Sequence, residues 1–569
     1  MAIVNGDFRD WGGAPANSTQ LATGWEIFSA KETLVPEKCG EGQSDPTTHD
    51  GSYCQGWSGE RDDGIFQIIK VKPVTYYTIT FWTRFAGPGG GMLKNWDYYD
   101  DALHTEVTGK KGNVYCCVGG SAIPWVKLNA YFTTDKEEHE VTFKCYQMKK
   151  GKYYLADVAI SEGVPENVTV SNSYHHKIYY PEVAPRFTEW VRLAKLANDD
   201  LVLSFHELVG NGKSTALPPL YDGWFTDKAL ENRRKYGAEH KRRMLTSTDK
   251  GRTWKSLESR AGAGSVSSDG REVQWNSSYD GQRLLQVGKD GIYSSTNCVT
   301  WRKEAPLDLN QTTYFTGYEG DVLELRDGTF VVYYVGCKKL DVDAVIEIPI
   351  DEKKTCIVKD KLWGGVDYNE RSSSSKNSYT IKERMCSGAA YISSDRGKTW
   401  MEIVVAPYYV SKKNDDYMSF TEISAVETNA GDVLFLMRTE VPWPEMKWGK
   451  EDSYHQVTLR RKGNEWVPGE IKKTPLEPVL FLGHPCLLKL KSGILVAGGS
   501  GHQYIFSADD GKTWQARNLS FGLRRVHYIR MVEVEDGRVL AAGHMGADWP
   551  YPPFEDQWIN GTFFDVKKC

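Results

Sequence analysis

Apolar and polar residues alternate in paired runs along the chain beyond residue 188, and each pair hinges on a short turn rich in Asp, Ser or Gly. The runs are Leu193 to Phe205 through Asp199-Asp200, Val322 to Tyr334 through Asp327-Gly328, and Ile423 to Met437 through Gly431-Asp432. Leu487 to Gly498 through Ser492-Gly493 and Ile529 to Ala542 through Asp536-Gly537 complete the clear cases. Period-two alternation broken by such turns predicts antiparallel hairpins. With a less marked unit at Val273 to Trp301, there are six. Units repeated at this spacing predict a six-bladed β-propeller, one four-stranded sheet per blade, with blades beginning near residues 188, 272, 317, 420, 484 and 526.

A second repeat follows the hairpins. Ser247 to Trp254, Ser393 to Trp400 and Ser507 to Trp514 all obey Ser-x-Asp-x-Gly-x-Thr-Trp. A weaker copy ends in Thr300-Trp301, with Ser294 in register and Thr296 and Cys298 at the Asp and Gly positions. In a tight turn the Asp can cap backbone N–H groups and the Gly can take positive φ. The Thr and Trp then open the next strand, where the indole can pack between sheets. This reads as scaffold, not as catalytic machinery.

Residues 1 to 170 are of another kind. They contain Ile3-Val4-Asn5-Gly6-Asp7-Phe8, a long alternating run from Ile65 to Phe85, and a closing run from Tyr153 to Ile160. Opposed faces over such lengths predict a jelly-roll β-sandwich, so the fold class is all-β. The polar stretch Gly163 to Pro185 carries Pro165, Pro181 and Pro185, which places a linker at 171–187 and the propeller at 188–569.

Composition fits a multidomain β protein: 569 residues, 40% hydrophobic, with 19 Trp, 31 Tyr and 20 Phe available for stacking on sugars. A formal charge of −5 gives no basis for nucleic-acid binding, and no apolar run is long enough to span a bilayer. The 11 cysteines include no CxxC pair, so a zinc ribbon is not expected, whereas a few disulfides near the N-terminus and at least one free thiol are. Six Asn-x-Ser/Thr sequons (Asn17, Asn167, Asn276, Asn310, Asn518, Asn560) fit secretion. The start Met1-Ala2-Ile3-Val4-Asn5 has neither the charged region nor the apolar core of a signal peptide, so the expectation is a secreted protein whose leader is absent from this sequence.

The Ser-x-Asp-x-Gly-x-Thr-Trp copies resemble the Asp-boxes, or BNR repeats, of the sialidase superfamily, which other propellers share. The closer resemblance lies in the fourth unit, Thr421-Glu422-Ile423 through Met437-Arg438-Thr439, and in His527-Tyr528-Ile529 of the last. Sialidases carry a Glu on one inner strand and an Arg at the end of the next, and a nucleophilic Tyr in the last blade. The resemblance implies Tyr528 as nucleophile, Glu422 as its base, and Arg438 gripping a substrate carboxylate bidentately. It also calls for two further arginines and an acid. Where the family has Arg-Ile-Pro, this chain has Arg192 about two residues out of register, and His484 stands where the third arginine belongs. Asp222, in Pro218-Pro219-Leu220-Tyr221-Asp222, is the match for the general acid. No intact arginine triad is visible.

Histidine enriches the same places: His206, His484, His502, His527 and His544 all end inner-strand runs. They can serve as acid–base groups near neutral pH, or as metal ligands, although no HxH or HExxH spacing supports a metal. His and Tyr beside an Arg also suit a lyase acting on uronate glycans. Glu319 enters its strand much as Glu422 does, and opposed carboxylates would allow a two-carboxylate glycosidase. Three classes therefore remain open: sialidase-like exo-glycoside hydrolase, polysaccharide lyase, and non-catalytic glycan-binding propeller. The expected partner is an acidic oligo- or polysaccharide, and catalysis requires no cofactor.

The first region resembles galactose-binding-like and carbohydrate-binding modules, which open on a similar Asn-Gly-Asp-Phe segment. That resemblance implies Asn5 and Asp7 as ligands of a structural calcium ion; turn capping is the other reading of both. Trp96, Tyr98 and Tyr99 offer either a sugar-stacking platform or rim aromatics packing on the propeller.

Overall fold

The computed structural model describes the chain except residues 1–2, 13–19, 30–32, 40–52, 86–99, 122–124, 148–149, 164–165, 183–186, 210–238, 258–274, 289, 312–319, 338–344, 352–353, 360–385, 408, 412–415, 441–452, 464, 477–483, 500–502, 520–525 and 546–557. The described residues are all-β, relieved only by the 3-10 turn Leu309–Gln311. None of their helices is long and apolar enough to cross a membrane.

The N-terminal region forms two five-stranded antiparallel sheets. One orders Glu26–Phe28, Gly64–Lys70, Glu140–Gln147, Asp100–Gly109 and Val114–Ser121; the other orders Val35–Cys39, Cys54–Gly59, Gly151–Glu162, Tyr76–Phe85 and Val126–Thr133. They share one core in which Trp25, Ile65, Ile69 and Phe143 meet Trp57, Phe81, Phe132 and Leu155. The run from Ile65 to Phe85 is thus not one strand. It breaks at Val71 to Thr75, where Pro73 lacks a ladder donor and Val74 turns to φ 47°, and its halves lie in different sheets. Cys116 and Cys145 are free buried thiols, both pushed up to about 12 by burial.

Among the described residues from 168 onward the strands form one two-stranded sheet and six larger antiparallel sheets. In chain order their inner strands are Phe187–Lys195, Asn276–Ser277, Gly320–Glu324, Asp416–Glu427, Cys486–Lys489 and Val526–Glu535. Each touches the next, and the last touches the first. Six hydrophobic cores fill the six seams; Val191, Leu203 and Phe205, for example, pack on Val532, Leu540 and Phe563. All five marked hairpins of the sequence occur as adjacent antiparallel strands of these sheets, and in the fourth sheet Tyr409–Ser411 pairs with the start of the first hairpin strand.

The predicted linker is the principal departure. Val168–Tyr179 is a strand, paired with the C-terminal strand Trp558–Lys568 as the outer edge of the sixth sheet. Its partner lies almost 400 residues away in sequence, as the bond from Thr169 Oγ1 to Lys567 O (|i−j| = 398) shows. Proline content marks only the ends of this segment, while Val168, Val170, Tyr174 and Ile178 supply the edge strand's packing.

The Ser-x-Asp-x-Gly-x-Thr-Trp turns join the third and fourth strands of the first, third and fifth sheets. In each the serine hydroxyl donates to the Asp and accepts from the Gly N–H, while both N–H and hydroxyl of the Thr donate to the carboxylate. These bonds outweigh burial in holding Asp249 at about 2, and those of Thr399 lead in holding Asp395 at about 2. The glycine is needed twice over. Gly251 has φ 88°, and a Cβ there would stand 2.8 Å from Leu540 of the neighbouring sheet. Gly397 and Gly511 likewise abut Ala305 and Leu434, so each turn fastens its sheet to the preceding one. In the weak copy the register is one residue later than expected: Ser295 and Asn297 make the cap, with Asn297 Oδ1 accepting from Val299 and Thr300.

The N-terminal sheets dock on the outer strand of the fifth sheet, Gln515–Asn518. Tyr76 Oη donates to Ala516 O at 3.0 Å, Asn518 Nδ2 to Asn129 O at 2.8 Å, and Arg517 Nη2 to Thr133 Oγ1 at 2.7 Å. Arg517 also pairs with Glu166 and lies 4.9 Å over the Tyr76 ring; burial lowers its pKa.

Candidate functional site

Glu422 and Arg438 are direct cross-strand partners in the fourth sheet, one just after a register shift at Phe420 and one near the end of Val433–Glu440. Neighbouring strands bring opposed side chains to one face, and Arg438 Nη1 donates to Glu422 Oε2 at 3.0 Å. The carboxylate side chain is 4% exposed and the guanidinium 18%. Tyr528 arrives from the sixth sheet and donates from Oη to Glu422 Oε1 at 3.1 Å. The fourth and sixth sheets are not neighbours, so they can meet only where the inner strands converge. Glu422, Arg438 and Tyr528 are therefore joined by hydrogen bonds through the Glu422 carboxylate.

Tyr528 reaches this position at a backbone cost. Its φ is 50°, in the left-handed region disfavoured for a bulky residue. The pairing register shifts between His527, opposite His544, and Arg530, opposite Ala542, so Tyr528 occupies a bulge that re-aims its side chain. Two imidazoles flank the phenol. The His544 ring is stacked on it, centroids 5.8 Å apart and planes 19° apart, and the His484 ring is tilted at 6.5 Å. Both histidines are buried, and His484 Nδ1 lies 2.7 Å from Pro485 O.

The same three side-chain types meet again at Tyr179, Glu207 and Arg243. Tyr179 Oη donates to Glu207 Oε1 at 3.0 Å and Arg243 Nε to Oε2 at 2.5 Å. There the tyrosine comes from the edge strand of the sixth sheet with ordinary backbone, and burial together with Glu207 pushes its phenol up to about 12. That trio pins two adjacent sheets. What sets Tyr528 apart is the strained bulge and the junction of sheets that do not adjoin.

The other candidates are distributed differently. Arg192 is buried with its guanidinium 5.2 Å over Trp275, beside Arg242, in the seam between the first and second sheets. His206 is half-buried in Leu201–Val209, with Glu189 and Arg242 as its cross-strand partners. His527 is placed by its backbone within Val526–Glu535, its side chain lying outside the described residues. Asp222, Glu319, His502, Trp96, Tyr98 and Tyr99 also lie outside the described residues.

Asn5 and Asp7 lie in the opening turn of the N-terminal region. Asn5 is spent on a turn, its amide donating to Asp10 O and Thr23 O and its carbonyl accepting from Asp10 N, while Asp7 is exposed beside Arg9. These bonds are those of a turn cap. Among the described residues no three His, Cys, Asp or Glu side chains gather as metal ligands.

Sequence reasoning did not single out a second polar group on the inner strands. Tyr333 Oη lies 3.3 Å from Asp321 Oδ2 and accepts from Asn276 Nδ2 at 3.1 Å, joining the second and third sheets. Asp321 directly preceding the apolar run at Val322 was its only sequence trace.

No protein-family model and no curated protein matches the chain. Among solved structures, a Penicillium chrysogenum α-L-arabinanase complexed with arabinobiose is 10% identical, with 70% of this chain and 98% of that one covered and a TM-score of 0.38. The Hadza microbial sialidase Hz136 is 12% identical, with coverage of 89% and 95% and a TM-score of 0.35. A protein of unknown function from Dyadobacter fermentans is 15% identical, with coverage of 71% and 100% and a TM-score of 0.30. To all three the chain's likeness is distant.

Proposed function

We propose that this chain is a carbohydrate-active enzyme, a sialidase-like exo-glycoside hydrolase acting on terminal acidic sugars, built as a six-bladed β-propeller behind a jelly-roll β-sandwich and working outside the cell. The single observation that carries the reading is Tyr528, held in a left-handed bulge with its hydroxyl on a buried carboxylate that is itself paired with Arg438. Strain of this kind persists where the surrounding structure over-determines it, and it clusters at functional sites.

In the proposed reaction Tyr528 Oη attacks the anomeric carbon while its proton passes to Glu422. The bond to the leaving oxygen breaks, and that oxygen takes a proton from Asp222, His206 or His484. Water then attacks the anomeric carbon and gives its proton to the group that protonated the leaving oxygen, while the bond to Tyr528 Oη breaks and that oxygen recovers its proton from Glu422. A phenol suits this task because a second carboxylate would be repelled by the substrate's acid group, which Arg438 grips. Arg192, Glu319 and His527 are the proposed substrate-side neighbours.

The two imidazoles beside Tyr528 favour a second reading, a lyase in which Arg438 neutralises a uronate carboxylate, His484 or Tyr528 removes the C5 proton, and the C4–O bond breaks to leave an unsaturated sugar. Incubation with acidic glycans separates the readings. Release of reducing sugar, abolished in Tyr528→Phe, is the expected result; a rise in ultraviolet absorbance from an unsaturated uronate would replace the hydrolase by the lyase. Normal turnover by Tyr528→Phe would remove Tyr528 as nucleophile, and silence on a broad panel would leave a glycan-binding propeller.

A further inference from the structure

We propose that His544 is a positioning residue that fixes the plane of the Tyr528 phenol; this rests on Tyr528 being the reacting group. A bulged residue at φ 50° gains nothing from its own backbone that would hold its ring in one direction. The hydrogen bond to Glu422 fixes the distance of Oη but does not by itself set the angle of the ring about that contact. A flat partner on the ring face removes that freedom. His544 is such a partner: its ring lies 19° from parallel at 5.8 Å and it is 1% exposed.

The lever on His544 is the strand ladder. His544 is opposite His527, the last residue paired before the bulge, and it lies in Arg538–Met545, the second strand of the sixth sheet, bonded on its other side to Trp558–Lys568. A side chain in a central strand is a more rigid backstop than one in a loop, because both neighbours fix its backbone. His484 precedes its strand and its ring is tilted 43° to the phenol at 6.5 Å, so it bounds the site without setting the plane. A nucleophile whose attack angle drifts loses rate while the sugar binds as before, since misplacement by about 1 Å costs on the order of 100-fold.

The test uses the full chain and an aryl glycoside of sialic acid, whose leaving group departs without help from an acid, so the rate reads the nucleophile alone. His544→Ala is expected to lower kcat by about 10- to 100-fold with KM nearly unchanged, and His544→Phe, which keeps a stacked ring, to recover most of the loss. In parallel, 3-fluorotyrosine is incorporated and the Tyr528 fluorine resonance identified by its disappearance in Tyr528→Phe. That resonance is expected to shift and broaden in His544→Ala and to return in His544→Phe. An unmoved resonance in a folded His544→Ala, or a Phe variant no better than Ala, overturns the positioning role. An active Tyr528→Phe, or a wild-type chain inert towards the glycoside while the resonance responds as expected, overturns the hydrolase reading and leaves the packing role standing.

Discussion

Exchanging Glu422 for Gln is nearly isosteric and removes one charge from the centre of the site, so its effects can be worked from the geometry. The carboxylate faces Arg438 Nη1 at 3.0 Å with side chains 4% and 18% exposed. At an effective dielectric constant of about 20 the gross attraction at that distance is roughly 5 kcal/mol, most of it returned as desolvation. Removing one member of a buried pair costs about 3–5 kcal/mol when the other is left fully stranded. Arg438 keeps some water and the Gln oxygen still accepts a bond, so the expected loss is about 2–3 kcal/mol, at or below the bottom of that range. Arg438→Met is expected to cost a similar amount, and the double variant little more than either single one, which gives a coupling of about 2 kcal/mol. Urea titration followed by fluorescence on all four proteins measures the cycle. A coupling below about 0.5 kcal/mol, the scatter of independent sites, would refute the ion pair. Turnover reads the chemistry separately: with no base to take the Tyr528 proton, kcat should fall by about 100- to 10,000-fold. A Glu422→Gln enzyme within a few-fold of wild type would refute the base assignment even if the ion pair proved real.

Two further predictions concern backbone and turns. If the left-handed conformation of Tyr528 is strained, Tyr528→Gly should be more stable than Tyr528→Ala by about 1 kcal/mol, the reverse of their order in an ordinary strand, and thermal or urea unfolding of the pair decides it. Asp395, held at about 2 chiefly by the hydroxyl and N–H of Thr399, favours the folded state while ionised. Its contribution is fully present above the unfolded value of about 3.9 and is lost as pH falls towards 2. Asp395→Asn should therefore flatten that part of the stability profile between about pH 4 and pH 2, and an unchanged slope would show that the turn does not hold the carboxylate.

Much of the scaffold can be read locally because its causes are local. A two-residue period and an Asx-Gly turn determine a hairpin whatever surrounds it, and all five marked hairpins occur where the pattern puts them. The Ser-x-Asp-x-Gly-x-Thr-Trp cap closes within eight residues, so its bonds follow from the sequence. Even the pairing of Glu422 with Arg438 is a matter of hairpin length. Other features depend on chain segments that composition cannot relate. Val168–Tyr179 looks like a linker because nothing nearby pairs with it; its partner strand is Trp558–Lys568, at the far end of the chain. Nor can the sequence separate the Tyr528 trio from the Tyr179 trio, since both use the same residue types. Only the tertiary structure decides that one of them joins two sheets that do not adjoin, from a bulge in the left-handed region, because the place where inner strands converge, and the strain tolerated there, are properties of all six sheets together and of no single stretch.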